Sequence, residues 1–173
     1  MALILLPLLR FLFGGLTMAS GKASRPLAVL ALIVDAVLLG RLVFGLAHGT
    51  PDSLILGGWD AGVGIALLGD RIALTFASLV WGLGVAILLY AWRDRLRPYF
   101  FMLLHLLIGA SYAMTLTEDL FNAYVILELL TLASFLLVGY GRSSRQIWAS
   151  LRYLVLCSFG MSLFLLGVAV VYY

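Results

Sequence analysis

Long apolar segments alternate with short polar or charged segments along the whole chain. Each apolar segment is long enough to cross a hydrocarbon core about 30 Å thick, since a helix rises about 1.5 Å per residue. The pattern predicts six helices, covering about residues 3–19, 26–47, 71–92, 98–116, 119–139 and 147–172. Residues 48–70 are polar and glycine-rich, and their two short apolar pieces, LILGGW and GVGIAL, predict a short extended hairpin-like loop between helices two and three.

The predicted fold class is therefore an all-α integral membrane protein, with residues 1–173 forming a single membrane domain. Composition agrees, because 64% of the residues are hydrophobic and only 11% are charged, which excludes an ordinary soluble domain. The first apolar segment contains Arg10 and lacks a basic leader, so we interpret it as a first helix and not as a signal peptide.

The basic residues of the loops are concentrated in the odd-numbered gaps, which lie on one side of the membrane in the predicted topology. The first, third and fifth gaps hold most of them, whereas the second and fourth gaps are mainly acidic. The basic residues of the odd gaps are Lys22, Arg25, Arg93, Arg95, Arg97, Arg142 and Arg145. The positive-inside rule predicts that the odd loops are cytoplasmic and that both termini lie outside.

One carboxylate lies near the centre of the fifth apolar segment, Thr117–Gly139. Glu128 is about 13 Å along the helix, close to the membrane midplane, where an ionisable group is costly and usually functional. Tyr124 and Thr131 share its helix face, and Ser134 is a further candidate partner. Two interpretations follow: Glu128 handles protons, or it is a structural residue bonded to Tyr124 or Ser134.

Arg10, Asp35 and His105 are further ionisable residues inside the predicted helices. Arg10 and Asp35 are equally far from the turn between helices one and two, so they predict an ion pair at one depth. A structural clamp is the preferred role, with a role in ion passage as the alternative. His105 in helix four exchanges protons readily near neutral pH, so it is either a proton-pathway residue or a packing histidine. Gly109 and Tyr112 share its helix face.

Several functions find no support in the sequence. The single cysteine, Cys157, excludes an intrachain disulfide and any multi-cysteine metal or iron–sulfur site. Phosphate loops, nucleophile triads and metal constellations are not found, so the sequence predicts no cofactor, no metal and no catalytic residue. Nucleic acid is excluded as a partner, and the lipid bilayer is expected. Whether the chain serves an oxidoreductase complex stays open.

Three segments resemble a known family in the order in which they occur. They are GGWDAGVGI at residues 57–65, TEDLFNAYVILELLTLASFLLVGY in helix five and SLRYLVLCSFGMSLFLLGVAVVYY in helix six. Together they resemble the D subunit of Mrp-type cation/proton antiporters, and more distantly the antiporter-like subunits of respiratory complex I and membrane-bound hydrogenases. The likeness covers the first six helices of that longer fold and implies a subunit of a prokaryotic cell (inner) membrane complex.

The resemblance implies that Glu128 is the carboxylate of the family's first proton half-channel, which acts with a lysine in helix seven. Lys22 is the only lysine here and lies in a predicted loop. Arg152 stands where the family has a lysine, and Gly62 where it has a proline. We therefore expect a half-length subunit whose proton or cation/proton pathway is completed by a partner chain carrying the missing helices and a mid-membrane lysine.

Other settings remain open. The complex is either a secondary antiporter or a redox-driven pump. Alternatively, the chain is a non-conducting structural subunit that anchors its neighbours in a hydrogenase- or complex I-like assembly. A further alternative is a component of an anion or inorganic-carbon uptake complex.

Overall fold

The computed structural model describes residues 1–49, 51–57, 64–93 and 96–173, with the backbone alone for Lys22. Within these residues six long helices follow one another, and all six are long and apolar enough to cross a membrane. They are α1 (Ala2–Ser20), α2 (Ser24–Ala47), α3 (Arg71–Tyr90), α4 (Pro98–Leu116), α5 (Leu120–Val138) and α6 (Ser144–Tyr172). The predicted fold class is confirmed, while the sidedness of the loops and termini stays a prediction.

Side chains at the helix ends explain several of these bounds. The carboxylates of Asp70 and Asp119 accept hydrogen bonds from backbone N–H groups in the first turns of α3 and α5. Ser143 and Gln146 form a capping box, in which each side chain bonds the other residue's backbone. This cap starts α6 at Ser144, somewhat before the predicted start near residue 147.

A two-stranded antiparallel hairpin joins α2 to α3, as the glycine-rich loop predicted. Its strands are β1 (Asp52–Leu56) and β2 (Ile65–Gly69), with Asp52 opposite Gly69 and Leu56 opposite Ile65. Leu67 is buried against Leu3 of α1 and bridges to Thr117 at the junction of α4 and α5. The hairpin thus packs over the end of the bundle where α1 begins and α4 ends. Most of the segment GGWDAGVGI at residues 57–65, including Gly62, lies outside the described residues.

Helix α4 lies at the centre of the bundle and packs against α1, α3 and α5. Its contact with α1 is close because Gly109 has no side chain. A Cβ atom added there would lie 2.8 Å from Cε1 of Phe11 and 3.0 Å from Cβ of Arg10. Helix α6 packs along α5, and most of its remaining surface is exposed.

Candidate functional site

Arg10 and Asp35 form an ion pair inside the bundle. Nε of Arg10 donates to Oδ2 of Asp35 at 2.6 Å, and Nη2 of Arg10 contacts the same oxygen. Both side chains are 1% exposed. The equal distance of the two positions from the α1–α2 turn therefore brings them to one depth, where each neutralises the other's charge.

Tyr112 is a third member of this site, which the sequence placed on the helix face of His105 but did not connect with Asp35. Its hydroxyl donates to Oδ2 of Asp35 at 2.8 Å, and its side chain is fully buried. The available signal was its position on the same face of α4 as His105 and Gly109. That spacing identifies a shared face, but it does not identify the carboxylate that the face meets.

His105 completes the group, again through Arg10. Nη1 of Arg10 lies 3.1 Å from Nδ1 of His105. A guanidinium can only donate, so Nδ1 accepts and the ring proton of neutral His105 is on Nε2. Nε2 is buried without a hydrogen-bond partner among the described residues, and the Phe13 ring stacks beside the imidazole at 6.2 Å between centroids.

We call Arg10, Asp35, His105 and Tyr112 the buried polar cluster. It joins α1, α2 and α4, and its members are at most 1% exposed. One cation and one anion with two neutral groups leave the cluster without net charge, which suits a medium of low dielectric constant. Removing one partner of such a pair leaves an uncompensated buried charge and costs about 3–5 kcal/mol.

Glu128 lies elsewhere, on α5. It is the ninth residue of Leu120–Val138, next to the midpoint of the helix, and its side chain is exposed. The hydroxyl of Tyr124 donates to its Oε1 at 2.9 Å. A cavity of about 220 Å³ between α5 and α6 contains the carboxylate, and Thr131 lines it while Ser134 does not.

Four residues with hydroxyl groups line this cavity beside Glu128, and we call it the Glu128 cavity. Its lining consists of Tyr124, Glu128, Thr131, Leu132, Leu154, Ser158, Met161 and Ser162. Liquid water occupies about 30 Å³ per molecule, so the Glu128 cavity has room for several waters. The contributions of Ser158 and Ser162 from α6 could not be inferred from the α5 sequence alone.

The two predicted proton-pathway residues therefore belong to different sites. His105 faces α1, where Arg10 and Phe13 are its neighbours. Glu128 faces α6 and is bonded to Tyr124 of its own helix. Among the described residues no cluster of three or more potential metal ligands occurs.

Comparison with known proteins shows which proteins the chain is similar to. The model of the family "NADH:quinone oxidoreductase/Mrp antiporter, TM" matches residues 117–173, which include α5 and α6. A protein of Staphylococcus haemolyticus provisionally named antiporter subunit mnhD2 is 37% identical over 175 residues, covering 98% of this chain and 35% of that protein. The protein of the same name from Staphylococcus epidermidis is 34% identical with the same coverage.

A chain of a solved structure is also similar to the present chain, in fold and in sequence. A chain of the membrane-bound sulfane sulfur reductase, an archaeal respiratory membrane complex, superposes with a TM-score of 0.86 and 27% sequence identity. The match covers 98% of the present chain and 36% of that chain. The present chain thus spans about a third of the length of the relatives it matches. In sequence and in fold the present chain is similar to antiporter-like subunits of membrane complexes over about a third of their length.

Proposed function

We propose that this chain is part of an antiporter-like subunit of a multisubunit membrane complex, in which Glu128 exchanges protons during proton or cation/proton translocation. One observation carries the proposal. Glu128 lies at the middle of a membrane-spanning helix, in a cavity with hydroxyl groups, and its hydrogen-bond partner is a neutral phenol. A carboxylate so placed can take up and release a proton.

The contrast with Asp35 supports this assignment. Asp35 and Glu128 are the two carboxylates within the helices of the described residues. Asp35 is held by the guanidinium of Arg10, whereas no cation of the described residues lies within 4 Å of Glu128. An ion pair fixes the charge of Asp35. Glu128 has no such partner, so its proton is the one available for exchange.

Hydroxyl groups around Glu128 give the proton a local route. The side chains of Tyr124, Thr131 and Ser158 line one cavity with the carboxylate, and waters in a cavity of about 220 Å³ can bridge them. His105 is not on this route in the present arrangement. It would accept a proton at Nδ1 only after Arg10 moved away.

We propose that the rest of the pathway lies in the part of the relatives that the present chain does not cover. We expect it to supply a mid-membrane lysine near the open side of the Glu128 cavity, in the same polypeptide or in a partner subunit. A cation there would bias the protonation of Glu128 through its charge, and the reverse also holds. The named relatives favour two settings, an antiporter and a respiratory membrane complex.

The test compares two carboxylate variants in the assembled complex, reconstituted into vesicles. Glu128→Gln removes the ionisable group at nearly constant size, and Glu118→Gln does the same outside the helices. We expect Glu128→Gln to abolish proton-coupled transport, followed with a pH-sensitive dye, while the complex still assembles. Glu118→Gln should keep transport. Normal transport in Glu128→Gln would overturn the proposal and favour a non-conducting structural subunit.

A further inference from the structure

We propose that the end of the bundle where α4 begins and α5 ends binds an anionic phospholipid. Its phosphate would lie between Arg97 and Arg142, and one acyl chain would follow the groove between α5 and α6. Two adjoining cavities carry this inference. One is polar and basic, the other is mainly apolar, and they share Tyr99, Tyr140 and Arg142.

The basic cavity has a volume of about 410 Å³ and receives arginines from two different loops. Its lining consists of Met18, Arg97, Tyr99, Tyr140, Gly141 and Arg142. Arg142 has a left-handed backbone (φ 57°), which non-glycine residues rarely adopt, so the α5–α6 turn holds it there despite strain. Guanidinium groups bind phosphate in a bidentate manner, and tyrosine hydroxyls add donors.

Tyr140 fixes the shape of this cavity. Its hydroxyl accepts a hydrogen bond from the backbone N–H of Arg97 at 3.0 Å, and its ring packs edge-on against Phe100 at 5.5 Å. The turn after α5 is thereby tied to the first residues of α4. The two arginines are brought to one cavity without a ligand, which lowers the entropy lost on binding.

The start of α4 adds to the positive potential. Arg97 is the N-cap residue, and its side chain makes no capping hydrogen bond. Pro98, the first residue of α4, has no N–H, and the N–H of Arg97 is bonded to Tyr140, so this helix start contributes the positive end of its dipole and not a set of free N–H groups. The two guanidinium groups supply the main attraction for a phosphate.

The second cavity distinguishes a lipid from a free phosphate. It has a volume of about 270 Å³, and the last turn of α5 and the first turns of α6 supply its apolar lining, Phe135, Leu136, Ile147 and Leu151. The basic and apolar parts meet where the apolar spans give way to the arginine-rich loops, which is the level of lipid headgroups. A molecule that fills both parts has an anionic head and an apolar tail.

The experiment measures binding of phosphatidylglycerol to the purified full chain in a neutral detergent by native mass spectrometry. Each arginine near a lipid phosphate contributes about fivefold in affinity, so Arg97→Gln with Arg142→Gln should weaken binding about 25-fold. Arg145→Gln is the matched control, because it removes an exposed positive charge that does not line the cavity. It should leave binding unchanged.

A second pair of variants tests the acyl groove. Leu151→Trp fills the groove and should weaken phosphatidylglycerol binding while glycerol phosphate binds as before. Leu156→Trp, on an exposed part of α6 outside the groove, should change neither. Circular dichroism checks that each variant is folded. If Arg97→Gln unfolds the chain, Arg142→Gln alone replaces the double variant, because Arg142 lies in an exposed turn.

Three results would overturn the proposal. The first is native-like phosphatidylglycerol binding in the double arginine variant. The second is an equal loss in Arg145→Gln, which would mean that only net charge matters. The third is equal affinity for glycerol phosphate and phosphatidylglycerol with no effect of Leu151→Trp, which would make the cavity a site for a free phosphate.

Discussion

Arg10 donates a hydrogen bond to Nδ1 of His105 at 3.1 Å while it holds Asp35 in an ion pair. One guanidinium therefore fixes both the charge of a carboxylate and the tautomer of a histidine within the membrane-spanning bundle. We therefore propose that the cluster holds α1, α2 and α4 together. Glu128, the residue that we propose to exchange protons, lies on another helix and lines another cavity.

The ion pair predicts a specific pattern of stability. Arg10→Ala and Asp35→Ala should each destabilise the bundle by about 3–5 kcal/mol, because each leaves the opposite charge buried without a partner. The double variant should be no less stable than either single variant, since no charge is then left unpaired. Denaturant unfolding in mixed micelles and yield of assembled complex measure this. Additive losses would show that the two residues act independently.

The tautomer of His105 predicts a spectroscopic signature. In the native protein, ¹⁵N NMR should show Nδ1 as the unprotonated ring nitrogen and Nε2 as the protonated one, because the guanidinium of Arg10 can only donate to Nδ1. Replacing Arg10 with Met, together with Asp35→Leu to avoid an unpaired charge, should remove this preference. The exposed His48 is the internal reference. A protonated Nδ1 in the native protein would refute the assignment.

Gly109 predicts a steric effect on the α1–α4 contact. Gly109→Ala should destabilise the bundle by about 1–3 kcal/mol, because the new methyl group would lie 2.8 Å from Cε1 of Phe11. Gly160→Ala is the matched control, since nothing lies within 4 Å of its added Cβ. Thermal unfolding in detergent compares the two. Equal stability of both variants would mean that α1 and α4 do not pack as closely as described.

The sidedness of the chain can be tested in whole cells. Cysteines introduced by Ser53→Cys in the hairpin and by Ser143→Cys before α6 lie in loops predicted to be outside and cytoplasmic. Cys157→Ala removes the native thiol. A membrane-impermeant maleimide should label the Ser53→Cys variant in intact cells and the Ser143→Cys variant only after lysis. The opposite labelling pattern would invert the predicted orientation.

Apolar pattern alone predicted the six helices, because long uninterrupted apolar segments have one stable form in a bilayer. The Arg10–Asp35 contact could also be predicted from the sequence, since the two helices of a hairpin place equidistant residues at one depth. The contact of His105 with Arg10 could not be predicted. Spacing within α4 shows which residues share a face, but the helix that this face meets depends on packing between segments distant in sequence.

The setting of Glu128 was predicted in part. Its place near the middle of α5 followed from its position in the apolar segment, and its contact with Tyr124 followed from the helical spacing of four residues. Ser158 and Ser162 reach the same cavity only because α6 folds back along α5. The sequence of α5 gives no measure of that packing, so the choice between Thr131 and Ser134 as a cavity residue required the structure.

Infrared difference spectroscopy of the complex in H₂O and D₂O detects proton exchange at Glu128 itself. We predict a protonated-carboxyl band that shifts in D₂O and is lost in Glu128→Gln. The same band should persist in a variant with Asp35→Asn and Arg10→Met, because Asp35 is held as an ion pair. A band that survives Glu128→Gln unchanged would show that the exchanging carboxyl group is not Glu128.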